Sequence, residues 1–177
     1  MDYDNAGNRV EAAFSDGTAF SYTYDANDQL TSANGSTRSY DANGRVSDTN
    51  GIAIARDPGG RITSMTLAPG KTVTYAYDAN DRLIQVTDWA EGSAAFCYDD
   101  AGRLTGVARS NDVNTTYSWD ADSRLAGIAE GTIATIALSR DAKGQITEVT
   151  RSLPLSPPGL ELEEETHTYD AASQVVG

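Results

Sequence analysis

The chain has 177 residues, 39% of them apolar, and a formal net charge of −13. That length leaves room for one ordinary domain, and the acidity disfavours nucleic acid, whose phosphate backbone needs clustered Lys and Arg. No run of about 18 apolar residues is present to span a membrane, and Cys97, the single cysteine, excludes an intrachain disulfide.

The first element, Tyr3 to Val10, introduces a unit that recurs along the whole chain. An aromatic or Arg residue is followed by Asp, and five residues later an aliphatic usually stands. The pairs are Tyr3-Asp4, Tyr24-Asp25, Tyr40-Asp41, Arg56-Asp57, Tyr77-Asp78, Tyr98-Asp99, Trp119-Asp120, Arg140-Asp141 and Tyr169-Asp170. Successive Asp residues are spaced 21, 16, 16, 21, 21, 21, 21 and 29 apart. A fixed period in this range marks a repeat architecture with one supersecondary unit per copy. Residues 1–177 therefore read as a single array of about nine repeats. In the first copy, Asn8 and Arg9 push the aliphatic one place later, to Val10.

Within each unit the Asp has a turn-forming role. Asp41-Ala42-Asn43-Gly44 carries Asp at the first position of a type I turn and Gly at the fourth. Asp holds such a turn by accepting from backbone two residues on. The fourth column reads Gly7, Asp28, Gly44, Gly60, Asp81, Gly102, Ser123, Gly144, Ser173. Glycine and Asp suit a left-handed residue; the two serines suit it less. Each Asp is thus the hinge of a β-hairpin with a three-residue loop and a bulge.

The strand entering each hinge alternates with period two. Phe20, Tyr22 and Tyr24 face one way, Ala19, Ser21 and Thr23 the other; Val73-Tyr75-Tyr77 and Thr115-Tyr117-Trp119 repeat the pattern. One face is bulky and aromatic, the other small and often hydroxylated, which suits a pleated strand. The departing strand begins with an aliphatic: Leu30, Val46, Ile62, Leu83, Leu104, Leu125, Ile146 or Val175. A second often follows three residues on, as Met65, Val86, Val107, Ile128 and Val149. Such a pair does not share a face in a regular strand. Either both faces are partly covered or the bulge shifts the register.

Between units, linking turns are expected at Ser15-Asp16-Gly17-Thr18, Thr49-Asn50-Gly51, Ala68-Pro69-Gly70-Lys71 and Glu91-Gly92-Ser93. Two strands and two turns per unit make an antiparallel meander. Arg56 and Arg140 replace the aromatic in two copies, where an Arg stem covers apolar surface and its guanidinium stacks on a neighbouring ring. Residues 152–165, with Pro154, Pro157 and Pro158 and the Glu161–Glu165 acidic run, read as a protruding Pro-rich loop. Cys97, between Phe96 and Tyr98 and opposite the aromatic face, is expected to be a packed thiol rather than a reactive one.

Enzymatic chemistry finds little support. A catalytic carboxylate pair needs two different environments, and nine equivalent Asp residues offer none. His167, the only histidine, lies two residues before Tyr169 on the bulky face, where packing explains it. Asp-x-Asn-Asp at Asp25 and Asp78 shares part of a calcium loop but lacks its Gly and its final Glu; stacked turn carboxylates would hold calcium weakly at best. No cofactor site is expected.

The recurring Tyr-Asp-Ala-Asn-Gly-Arg-Val/Leu unit resembles the YD repeats of Rhs proteins, wall-associated toxin proteins, insecticidal toxin-complex C subunits and teneurins. The resemblance covers essentially the whole chain. It implies an all-β fold, with antiparallel hairpins side by side in a twisted or spiralling sheet that forms part of a hollow shell. It implies a non-enzymatic structural role, in which the shell of the parent protein encloses and protects a toxin or other cargo. Partners are then the rest of that shell and its cargo, and the parent is secreted or displayed at the cell surface. No targeting signal is visible in this stretch, and both ends read as cuts in a longer array. The Rhs core segment that closes such shells, near which Asp-dependent self-cleavage occurs, is not found; Arg56-Asp57-Pro58-Gly59-Gly60 falls in phase as an ordinary copy. Two other roles fit the same surface: a cell-surface module that binds carbohydrate or protein, and self-association through open strand edges.

Overall fold

A computed structural model describes residues 1–153, 165–170 and 174–176. Among the described residues there is no helix, and every strand pairing is antiparallel. Two compact units are distinguished: Met1–Ala76 with Thr87–Ala90, and Tyr77–Val86 with Glu91–Gly177.

The first unit is built from β1 (Asp2–Tyr3), β2 (Arg9–Ala13), β3 (Ala19–Tyr24), β4 (Leu30–Ala33), β5 (Ser36–Tyr40), β6 (Val46–Thr49), β7 (Ile52–Arg56), β8 (Ile62–Ala68) and β9 (Lys71–Tyr77). Each pairs with the next in sequence. The second follows with β10 (Leu83–Thr87), β11 (Ser93–Tyr98), β12 (Leu104–Arg109), β13 (Thr115–Trp119), β14 (Leu125–Glu130), β15 (Ala134–Arg140), β16 (Ile146–Ser152) and β17 (Glu165–Thr166). From β11 to β17 each again pairs with its successor. The meander read from the turn spacing is the fold of both units. Residues 154–164, which hold most of the expected Pro-rich loop, lie outside the described residues.

The register answers what the aliphatic i,i+3 spacing left open. In β11 and β12, Tyr98 stands opposite Leu104, Cys97 opposite Gly106 and Phe96 opposite Val107, with the shift between Cys97 and Tyr98. One extra residue, Thr105, is absorbed there, so Leu104 and Val107 lie on the face of Tyr98 and Phe96. The same step puts Leu125 and Ile128 opposite Trp119 and Tyr117, Ile62 and Met65 opposite Arg56 and Ile54, and Ile146 and Val149 opposite Arg140 and Leu138. A bulge is what lets an i,i+3 pair serve one face of a strand.

That face is only half covered. Along β3, exposed and half-buried residues alternate, with Phe20, Tyr22 and Tyr24 half-buried. Among the described residues the buried apolar side chains are Ala12, Val107 and Val149, each small or medium in size. Stability therefore rests on ladder hydrogen bonds and on cross-strand pairs, each contributing roughly 0.2–1 kcal/mol, rather than on a thick core.

Three local expectations are corrected. Tyr3 pairs with Arg9 as Tyr24 pairs with Leu30, so the first copy keeps the normal length and Arg9, not Val10, fills the aliphatic column. Its guanidinium lies 4.9 Å from the Tyr22 ring centroid, which makes a cation acceptable there. The linking turn near residue 91 begins earlier. The Asp88 carboxylate accepts from the Ala90 N–H at 2.8 Å, and Glu91, not Gly92, is left-handed at φ 63°. Finally, Cys97 is exposed, because period-two alternation sends it to the face opposite Phe96 and Tyr98, where nothing covers it.

Candidate functional site: the repeated Asp turn

Each hinge closes with the same two backbone bonds. Asp41 N–H donates to Arg45 O at 2.8 Å and Gly44 N–H donates to Asp41 O at 2.9 Å; the pattern recurs from Asp4 through Asp141. The residue three after Asp is left-handed in every described copy, including Asp28 at φ 59°, Asp81 at 64° and Ser123 at 63°. Ser123 adopts the strained conformation because the hairpin on either side over-determines it.

The Asp side chain then fastens the loop it starts. In Asp41, Oδ1 accepts from the N–H of Asn43 at 2.9 Å and of Arg45 at 3.0 Å. Asp4, Asp25, Asp78, Asp120 and Asp141 accept from the same two positions. Asp57, Asp99 and Asp170 accept from the fourth residue on. In five copies the second oxygen takes an Arg Nε at that fourth position: Arg45, Arg61, Arg82, Arg103 and Arg124, at 2.6–2.9 Å. Asp4, Asp41, Asp78, Asp99 and Asp120 titrate below the usual carboxylate range, first because of the backbone N–H four residues on. For Asp57 the Arg61 guanidinium is the larger cause. Asp57 is thus clamped like its neighbours, as its in-phase position implies. These Asp carboxylates are occupied by their own turns. Among the described residues no group of three or more His, Cys, Asp or Glu is placed to hold a metal ion.

The residue before Asp reaches the other way. Tyr24 Oη donates to Arg9 O at 3.0 Å, Tyr40 to Leu30 O at 2.7 Å, Tyr98 to Leu83 O at 2.8 Å and Tyr169 to Ile146 O at 2.7 Å. Each acceptor is the residue five after the preceding Asp. Trp119 Nε1 donates to Leu104 O at 2.8 Å, Arg56 Nη1 to Val46 O at 2.8 Å and Arg140 Nη2 to Leu125 O at 3.1 Å. Tyr, Trp and Arg share a flat body and a terminal donor. Arg56 and Arg140 thus add a hydrogen bond to the packing role expected of them. Tyr3 stands apart at 60% exposed, and Tyr77 ends β9.

The residue four after Asp also bridges copies. Gln29 Nε2 donates to Gly44 O at 3.1 Å, Arg103 Nη1 donates to Ser123 Oγ at 3.0 Å and Arg82 lies 4.7 Å from the Tyr98 ring centroid. Gln29, Arg45 and Arg124 lie against Gly44, Gly60 and Gly144 so closely that an added Cβ would meet them. Sequence reasoning gave these Arg residues no role, although their fixed offset from Asp was the available signal. Where these bonds are made, the donor before Asp and the side chain four after it tie neighbouring turns together.

The comparisons agree with this geometry. The RHS repeat family model, described as "RHS Repeat", matches residues 56–94 and 98–133. No curated protein matches in sequence. Among solved structures, a TcdB2-TccC3-Cdc42 crystal structure is similar over 98% of this chain and 12% of its own, at 13% identity and a TM-score of 0.73. A Photorhabdus luminescens Tc holotoxin pore carrying a TccC3 mutation is similar over 80% of this chain and 9% of its own, at 14% identity and TM-score 0.64. A structure of TcdB2-TccC3 without its hypervariable C-terminal region is similar over 98% and 11%, at 14% identity and TM-score 0.67. The chain thus spans about a tenth of the length of the solved chains it matches. Over residues 56–94 and 98–133 the recurring hairpin matches the RHS repeat model.

Proposed function

We propose that this chain is a stretch of wall in an RHS-repeat shell, and that in its parent protein the shell encloses and shields a toxin or other polypeptide until delivery. The observation that carries the reading is the interlock itself. Among the described residues the hinge carboxylates bond their own loops, and side chains such as Tyr40, Trp119 and Arg140 bond the preceding copy. Such a surface has no asymmetric pair of carboxylates with which to run acid–base chemistry, so the role is structural and non-enzymatic. Its partners are then the remaining repeats and the enclosed segment, the whole chain is one continuous array, and the parent acts outside the cell that makes it.

Protease protection in the longer polypeptide tests this reading. The enclosed segment should resist cleavage in the intact parent and become cleavable when residues 1–177 are deleted. Equal cleavage rates with and without this segment would overturn the enclosure role, while leaving the repeat fold untouched.

A further inference from the structure

Three Asn-Gly steps lie in turns: Asn34-Gly35, Asn43-Gly44 and Asn50-Gly51. At such a step the backbone nitrogen can attack the preceding side-chain amide, since glycine puts no Cβ in the way. Asn34-Gly35 joins β4 to β5 and Asn50-Gly51 joins β6 to β7, each as a two-residue hairpin turn. These two backbones match. Asn34 and Asn50 are left-handed at φ 49° and 52°, and Gly35 and Gly51 at 87° and 81°. Asn34 N–H donates to Ser21 O at 2.9 Å and Asn50 N–H to Thr37 O at 3.0 Å. All four residues are exposed. The reacting groups differ. Asn50 Oδ1 accepts from Thr37 N–H at 2.8 Å and from Ser36 Oγ at 2.9 Å, and Gly51 N–H donates to the Asp48 carboxylate at 3.1 Å. At the hinge, Gly44 N–H donates to Asp41 O at 2.9 Å. At the remaining step, neither the Asn34 side-chain amide nor Gly35 N–H has a hydrogen-bond partner among the described residues.

We propose that Asn34 is a site of spontaneous deamidation, and that Asn43 and Asn50 are shielded from the same reaction. Solvent hydroxide takes the Gly35 amide proton, and the nitrogen attacks Asn34 Cγ. The side-chain nitrogen takes a proton from water and leaves as ammonia, closing a cyclic imide. Water then opens the ring at either carbonyl, which leaves an aspartyl or an isoaspartyl residue at position 34. For Asn50 the same step requires Oδ1 to leave two donors. It also requires Gly51 N–H to leave a carboxylate that opposes loss of its proton. For Asn43 it requires Gly44 N–H to leave the bond that closes the hinge. The product matters to the sheet. Deamidation adds a negative charge, and the isoaspartyl form adds one backbone carbon to a two-residue turn. Loop length sets the register of a hairpin, here Ala33 against Ser36. The inference stands on the turns alone and does not rest on the enclosure role.

Peptide mapping by mass spectrometry tests it, on the full chain aged in heavy-oxygen water at mildly alkaline pH. The heavy oxygen marks conversion that occurs during the incubation. Asn34 should convert at least about tenfold faster than Asn43 or Asn50, the factor that one or two ordinary hydrogen bonds add to a barrier. In guanidinium chloride that gap should close, because the bonds that hold Asn43 and Asn50 are gone. Asp48→Ala, with an unchanged far-ultraviolet spectrum, should speed conversion at Asn50 by about three- to tenfold and leave Asn34 as it was. Equal native rates at Asn34 and Asn50, a faster Asn43, or a gap that survives unfolding unchanged overturns the proposal. So does a folded Asp48→Ala chain in which Asn50 stays slow; the protease test above would be unaffected.

Discussion

Tyr40 offers the sharpest test of why Tyr, Trp and Arg alternate before the hinge Asp. Its hydroxyl donates to Leu30 O at 2.7 Å, and Arg56 one copy later donates to Val46 O at 2.8 Å; both span ten residues. Tyr40→Phe keeps the ring and deletes one half-buried hydrogen bond, a change of about 0.5–1.5 kcal/mol. For a chain of this length that corresponds to a fall in Tm of roughly 2–4 °C per kcal/mol. Tyr40→Leu removes both ring and donor, and its loss should run to about 2–3 kcal/mol, below the fully buried aromatic range because Tyr40 is only half-buried. Tyr40→Arg restores a donor of the reach seen at Arg56, so it should lose less than Tyr40→Leu despite adding a charge. Thermal and urea denaturation followed by circular dichroism measure all three. If Tyr40→Phe matches wild type and Tyr40→Arg is as damaging as Tyr40→Leu, the donor is not what these positions share.

The remaining predictions concern the clamp, the bulge and the exposed thiol. Asp4, Asp41, Asp57, Asp78, Asp99 and Asp120 are depressed below their ordinary value of 3.8. The stability they add is therefore present above that value and is lost as pH falls through the lower folded-state value. Urea midpoints should be flat from pH 8 to pH 5 and drop below about pH 4, with a smaller drop in Asp99→Asn, which has already lost one of these carboxylates. Gly127→Ala places a Cβ 3.0 Å from Ile136 O and 2.9 Å from Ser118 Oγ, whereas Gly106→Ala, in the same column one copy earlier, meets only Thr115 O at 3.5 Å. Gly127→Ala should cost about 1–3 kcal/mol as overpacking and Gly106→Ala much less; equal Tm changes would show that the column is not close-packed at Gly127. Cys97 should react fully with a thiol reagent in the native chain, and reaction only on unfolding would contradict its exposure.

Much of this fold was legible because the turn makes steric demands at fixed offsets. Asp at the first position and a left-handed residue at the fourth can be read from residue identity, and so can the alternation of Tyr22 and Tyr24 with Ser21 and Thr23. What stayed hidden depends on reach rather than identity. That Arg82 closes on its own Asp and also lies over Tyr98 of the next copy requires knowing how far adjacent turns are apart. Likewise, Arg56 looks like a packing residue until the Val46 carbonyl is placed beneath it. The column of Arg9 was misjudged because an aliphatic was sought, and a cation over Tyr22 fills the place equally well. Cys97 was placed correctly on the face opposite Phe96 and Tyr98 but was expected to be packed there, because residue identity does not show that this face is uncovered. Ser123 and Glu91 adopt left-handed backbone without the composition that announces it, since the flanking strands impose it.

Amide hydrogen exchange across the repeated hinges tests the central claim most directly. The N–H groups of Arg45, Arg103 and Arg124, each donating to the Oδ1 of the Asp four residues earlier, should be protected to similar degrees, and the Arg103 amide should lose that protection in Asp99→Asn while Arg45 keeps it. Fast exchange at all three in the wild-type chain, or protection at Arg103 that survives Asp99→Asn unchanged, would contradict a wall held together by self-clamped Asp turns.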